Sequence, residues 1–172
     1  MEMNALSAQQ DDDLIAVKAM KPSADISLVR QIPAASAAGA EAHFSARLQL
    51  ETDPSDVHSD LVQKQTGVVV LDVRPAEAYA RAHVPGARSV PYREIDGTLA
   101  ASLSRDDVHV VYCWGPGCNA ATKAAVRLAK FGLPVKEMIG GIEYWRREGY
   151  PMESGSDPGS LEAKAESFST TT

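Results

Sequence analysis

The sequence predicts an α/β fold in three layers, with a small, mostly parallel sheet and helices on both of its faces. Three observations carry that prediction. Short apolar runs such as GVVVLDV (67–73) and DVHVVY (107–112) read as strands, the first of them continuous enough to be buried on both sides. Segments with helical spacing separate these runs, so that strand and helix alternate along the chain. The composition, 44% apolar and 23% charged over 172 residues, is that of a globular chain with room for one ordinary domain and some surplus.

Taken in order, the elements begin with Phe44, Leu48 and Leu50, which mark a short helix. Asp53-Pro54-Ser55-Asp56 is a helix start that leads into VHSDLVQKQ. After the strand at 67–73, PAEAYARA (75–82) opens with proline, which suits a helix's first turn, and Val84-Pro85-Gly86-Ala87 makes a turn. Residues 88–91 form a short strand, followed by helical stretches over 92–95 and 98–103. The strand at 107–112 comes next. The helix over 119–131 places Ala121, Ala124, Leu128 and Phe131 on one face and is closed by Gly132. A last strand over 135–138, the pair Gly140-Gly141 and a helix over 142–148 with Trp145 turned inward complete the series.

The ends read differently. Residues 1–42 form a partly mobile N-terminal extension with a short helix over 13–20, and close on the linker-like IPAASAAGAEA. The folded domain spans 43–155, and 156–172 is a polar tail expected to be disordered. The formal net charge of −6 resides in the two ends, whereas the middle is mildly basic. That balance lacks the concentrated basic stripe of a nucleic-acid surface and suits a small anionic substrate. No apolar run is long enough for a membrane span, and the acidic N-terminus lacks the basic region of a secretory signal. With two cysteines, too few to staple a secreted fold, the expected location is the cytoplasm.

Both cysteines lie in VVYCWGPGCNAA (110–121), where an apolar strand ends on Cys113 and a Gly- and Pro-rich loop leads to an Ala-rich helix. Reactive loops of parallel sheets lie beyond the carboxyl ends of strands. A helix start presents unpaired N–H groups and partial positive charge, which favour a thiolate or other anion. The loop Trp-Gly-Pro-Gly-Cys can curl so that its amides form a nest around one sulfur, with Pro116 contributing no N–H. Isolated cysteines are commonly inert and buried, but this context makes Cys113 the candidate nucleophile. Its chemistry would be that of a thiolate or a persulfide. Cys118 is a candidate resolving thiol, against the plainer reading of a small residue at a helix start. His43, His58, His83 and His109 show no metal-ligand spacing, so no metal is expected. Lys123, Arg127 and Lys130 read as a solvated face, or as a strip that, like Arg74, attracts an anionic donor.

Three segments together resemble the rhodanese (sulfurtransferase) family over roughly 56–153, with the core signature at 67–152. LDVRPAEAYARAHVPGARSVP is similar to the family's D-x-R…E-[YF]…H-[IV]-P-G-A…[IV]-P pattern through Asp72, Arg74, Glu77, Tyr79, His83 and the turn that follows. VVYC with its short loop resembles the active-site segment, and IGGIEYW…GYP the closing G-G-[IVM]-x-x-W…G-x-P pattern through Gly140, Gly141, Ile142 and Trp145. The resemblance implies a rhodanese-like fold and double-displacement transfer. A donor such as thiosulfate leaves sulfur on Cys113, and a thiophilic acceptor, cyanide or a thiol, or a protein sulfur acceptor, removes it. It implies that the amides of Trp114, Gly115, Gly117, Cys118 and Asn119 cradle the persulfide and that Asp72 holds the loop by hydrogen bonding. No cofactor is implied, because the carrier is the side chain itself. The family loop often ends in arginine where this chain has Cys118, which motivates a second reading as a non-catalytic or redox-sensing binding domain. The same absence, with a short loop, argues against a phosphatase or arsenate reductase.

Overall fold

In the computed structural model, which describes residues 27–159, the chain divides into two compact units, Met1–Gly39 and Ala40–Thr172. The described part of the first holds a single 3-10 turn, Leu28–Arg30, and the beginning of helix α1 (Ala37–Leu50). The helix expected over 13–20 and most of the expected tail lie outside the described residues. The expectation of a linker up to residue 42 is corrected by α1. Alanine is the strongest helix former, so an Ala-rich stretch with one Gly still winds, and Ser36 Oγ accepts from Gly39 N (3.1 Å) at its start.

The second unit contains a five-stranded, wholly parallel sheet in the order β1-β5-β4-β2-β3. Its strands are β1 (Glu51–Thr52), β2 (Val68–Asp72), β3 (Arg88–Ser89), β4 (Val108–Tyr112) and β5 (Val135–Met138). The helices are α2 (Pro54–Val62), α3 (Ala76–Arg81), α4 (Gly97–Ala101), α5 (Ala120–Lys130) and α6 (Gly141–Arg147). The predicted α/β architecture is therefore the observed one. Strand β1 had no signal in the sequence. Its two polar residues are recruited by register with Glu137 and Met138 of β5, a pairing that only the folded sheet supplies.

The period of two along the strands sorts the core into two faces. Leu71, Val73, Val111 and Cys113 pack against Ala121, Ala124 and Leu128 of α5. Val70, Val110 and Tyr112 point the other way, toward Val57 of α2 and Ile142 and Trp145 of α6. Helix α5 buries the predicted face except at its end, where Phe131 is exposed. Asp53 caps α2 by accepting from Asp56 N (2.8 Å), which satisfies one of the helix's first amides. The buried indole of Trp145 donates to Pro151 O (2.7 Å), and this bond folds the chain after α6 back onto the core. Beyond that point His83 and Glu153 pair in an antiparallel bridge, and Gly86 N donates to Pro158 O (2.7 Å).

Candidate active site

Parallel register aligns the carboxyl ends of neighbouring strands, and here it sets Asp72 of β2 opposite Tyr112 of β4. Cys113 follows Tyr112 directly and is 3% exposed. It lines a cavity of about 220 Å³ together with Gly115, Pro116, Cys118, Glu137 and Gly141. Cys113 and Cys118 are joined by a disulfide, with Cα atoms 6.5 Å apart. The loop is tightened by Cys118 N, which donates to Gly115 O (3.0 Å).

That bond corrects one expectation. The amide of Cys118 is committed to a turn within the loop and is not free for a sulfur anion. Among the described residues, the amides of Trp114, Gly115, Gly117 and Asn119 have no acceptor, and Pro116 has no N–H to offer. Among the described residues no backbone N–H donates to either sulfur of this disulfide, as expected of neutral sulfur.

Asp72 is placed differently from its expected role. It makes no hydrogen bond to the loop. Its carboxylate, fully buried, accepts from Arg74 N (3.0 Å), from Arg74 Nε (2.9 and 3.1 Å), from Arg74 Nη2 (2.5 Å) and from Tyr112 Oη (2.7 Å). Arg74 is also buried, 1% exposed, and its Nη2 donates further to Ala82 O (2.7 Å). A guanidinium so enclosed cannot attract a donor from solvent, which corrects the substrate role considered for Arg74. Its contacts are all within the protein. The guanidinium carbon lies 4.7 Å from the centroid of the Trp114 ring and 5.7 Å from that of Tyr112. The ion pair thus buttresses the two residues on either side of Cys113, one through a hydrogen bond and both through ring faces.

The direct anchor of the loop comes from α6, to which the sequence reading assigned no role. Ile142 N donates to Cys113 O and Glu143 N to Trp114 O, each at 3.0 Å. These amides belong to a helix's first turn, where no intrahelical acceptor exists. The approach requires Gly141, whose φ is +57°. A Cβ there would stand 2.5 Å from Cys113 O and 2.9 Å from Gly115 N, against backbone that cannot give way. Gly141→Ala is expected to cost about 2–4 kcal/mol, from the left-handed backbone and the overlap together, and to displace the loop. Urea denaturation checks this, and a midpoint unchanged from that of the wild type would contradict it. The signal was the Gly-Gly pair before a helix, but only the fold shows what it touches.

Burial, followed by the charge of Asp72, holds the Tyr112 phenol well above its ordinary value. Tyr112 therefore stays a donor to Asp72 and, in turn, accepts from Val84 N (3.1 Å). Burial and Asp72 raise Tyr79 too. A phenol held up in the folded state and ordinary in the unfolded chain keeps its proton longer when folded. Its stabilising contribution is thus complete below about pH 10 and is lost as the pH rises further. Tyr112→Phe should cost about 1–3 kcal/mol at neutral pH, because Val84 N and Asp72 lose a partner. It should also make the alkaline fall in stability shallower. Urea titrations at pH values from about 8 to about 11 test the slope, and a slope as steep as that of the wild type would count against the assignment.

Lys123, Arg127 and Lys130 line a separate surface groove with Tyr92 and Asn119. Arg127 Nη1 donates to Tyr92 O (3.0 Å) and Arg93 O (3.1 Å), so one member of the strip is fastened to the neighbouring turn. His83 Nδ1 lies 3.0 Å from Tyr79 O, a backbone partner four residues back along the chain. Among the described residues no group of His, Cys, Asp and Glu could hold a metal ion, and no helix is long and apolar enough to cross a membrane.

Known proteins are similar to this chain in sequence and in fold. The chain is 39% identical over 101 residues to the HTH-type transcriptional regulator Rv0324 of Mycobacterium tuberculosis, covering 58% of this chain and 44% of the regulator, less than half its length. It is 33% identical over 94 residues to the thiosulfate sulfurtransferase GlpE of Pseudomonas putida, covering 54% of this chain and 82% of that enzyme. Among solved structures, the BH2092 protein of Bacillus halodurans is 41% identical with a TM-score of 0.67, over 75% of this chain and 97% of that one. The sequence profile described as the rhodanese-like domain matches residues 54–148, which span α2 through α6 and include the loop around Cys113, and the chain belongs to the rhodanese-like domain family.

Proposed function

We propose that this protein is a sulfurtransferase that carries sulfane sulfur as a persulfide on Cys113. The donor is a small anion such as thiosulfate, and the acceptor is a thiophile, cyanide or a thiol, on a small molecule or a protein. The observation that carries this reading is the placement of Cys113 at the carboxyl edge of β4, on a cavity of about 220 Å³. The uncommitted amides of Trp114, Gly115, Gly117 and Asn119 support it, as donors for the negative terminal sulfur. Family membership and relatives named thiosulfate sulfurtransferase favour the same reaction.

The cycle starts from reduced Cys113. Its thiolate attacks the outer sulfur of thiosulfate, the sulfur–sulfur bond of the donor breaks, and sulfite leaves with the bonding electron pair. The acceptor then takes the outer sulfur of the persulfide and restores the thiolate. A reducing compartment such as the cytoplasm suits this cycle, since the working form is the free thiol. The Cys113–Cys118 disulfide favours a second reading, a redox-sensing domain that binds a partner without turnover. Sulfite release from thiosulfate by the reduced protein, with thiocyanate formed on addition of cyanide, separates the two. Absence of both products from the fully reduced protein removes the sulfurtransferase reading.

A further inference from the structure

Cys118 stands where a persulfide on Cys113 can be discharged without any outside acceptor. The two sulfurs reach bonding distance across the loop, as their disulfide shows, and both residues line the same cavity. The turn closed by Cys118 N and Gly115 O brings the second cysteine back toward the first. Cys118 is half-buried and sits immediately before Asn119, the N-cap of α5, where the field of an eleven-residue helix favours a thiolate. From these placements we infer that Cys118 is an internal acceptor that turns the protein into a sulfide-releasing reductase of thiosulfate. This rests on the Cys113 persulfide of the sulfurtransferase reading.

The step balances as thiol–disulfide exchange. The Cys118 thiolate attacks the inner sulfur, Sγ of Cys113. A new bond forms between the two cysteine sulfurs, the bond from Sγ to the outer sulfur breaks, and hydrosulfide leaves with the electron pair and a proton from solvent. The outer sulfur is reduced, and the two cysteines are oxidised to the disulfide seen in the structure. Low-molecular-weight thiols then reduce that disulfide, two thiols giving one external disulfide. Over the cycle, thiosulfate and two thiols yield sulfite, sulfide and the external disulfide. Holding both groups on one short loop makes the attack intramolecular, which gives it the advantage of a high effective concentration over a dilute external thiol.

The test is a single turnover without acceptor. Fully reduced protein, freed of reductant under anaerobic conditions, is mixed with thiosulfate. Sulfite, sulfide and intact mass are then measured for the wild type, Cys118→Ser and Cys118→Ala. The wild type is expected to release sulfide and sulfite in about equal amounts and to end two hydrogens lighter, as the disulfide. Both variants are expected to lose sulfide release and to remain one sulfur atom heavier until a thiol is added. The ratio of sulfide to sulfite is the readout, so a slower variant still reports. A wild type that keeps its extra sulfur and frees no sulfide overturns the internal acceptor while leaving the transferase intact. Absence of sulfite from all three proteins overturns the persulfide itself.

Discussion

Cys113→Ser is expected to release no sulfite from thiosulfate above the uncatalysed background, a loss of at least about 10³-fold. The argument is one of chemistry more than of shape. Serine differs by one atom and fits the same nearly closed space, where Cys113 is 3% exposed, so the fold should tolerate it. An alcohol at neutral pH, however, supplies almost no anion to attack sulfur, whereas a cysteine beside unpaired amides and a helix start supplies a thiolate. The attack also needs an atom that can hold a second sulfur and later release it, which oxygen does not do. Thermal melting that matches the wild type, together with absent sulfite, is the expected pair of results. Transfer that survives in Cys113→Ser would move the nucleophile elsewhere and undo both readings that depend on it.

Asp72→Ala should be the most damaging change to the frame around that cysteine, lowering the free energy of unfolding by about 3–5 kcal/mol. The loss would be a large part of the total stability of a domain this size, which is commonly about 5–15 kcal/mol. The carboxylate and the Arg74 guanidinium are both buried, joined through several donors, with Tyr112 Oη as a further partner. Removing Asp72 leaves a guanidinium at 1% exposure with the carbonyl of Ala82 as its remaining hydrogen-bond acceptor among the described residues. Uncompensated buried charge is the dominant cost. Replacing both members together, Asp72→Leu with Arg74→Met, should recover much of the loss, because two apolar groups leave no charge behind. Urea denaturation of the two single variants and the double variant makes the comparison. A penalty below about 1 kcal/mol for Asp72→Ala, as expected of a solvent-exposed pair, would contradict the burial argument. Transfer by the double variant should still be impaired, since Trp114 loses the guanidinium beneath its ring.

The extent to which the sequence was legible follows from which forces are local. The strand at Val68–Asp72 announced itself by a continuous apolar run, and α2 by Asp53-Pro54, because burial on both faces and capping are written in neighbouring residues. Strand β1 was not legible, since Glu51 and Thr52 become a strand only through hydrogen bonds to β5, far along the chain. Helix α1 was mistaken at its beginning for a linker, where low complexity concealed the helix propensity of alanine.

The candidate site divides in the same way. The sequence by itself determined the α/β class, the position of Cys113 at the end of a buried strand, and the glycine-rich run with few side chains between two cysteines. These depend on period, composition and spacing, all of which are local. Only the tertiary structure decided that Arg74 is enclosed against Asp72, that Gly141 brings the first amides of α6 onto the carbonyls of Cys113 and Trp114, and that Cys118 meets Cys113. Each of those depends on where separate strands and helices end in space. The sheet's register brings these ends together, and the proposed sulfur chemistry rests on that convergence.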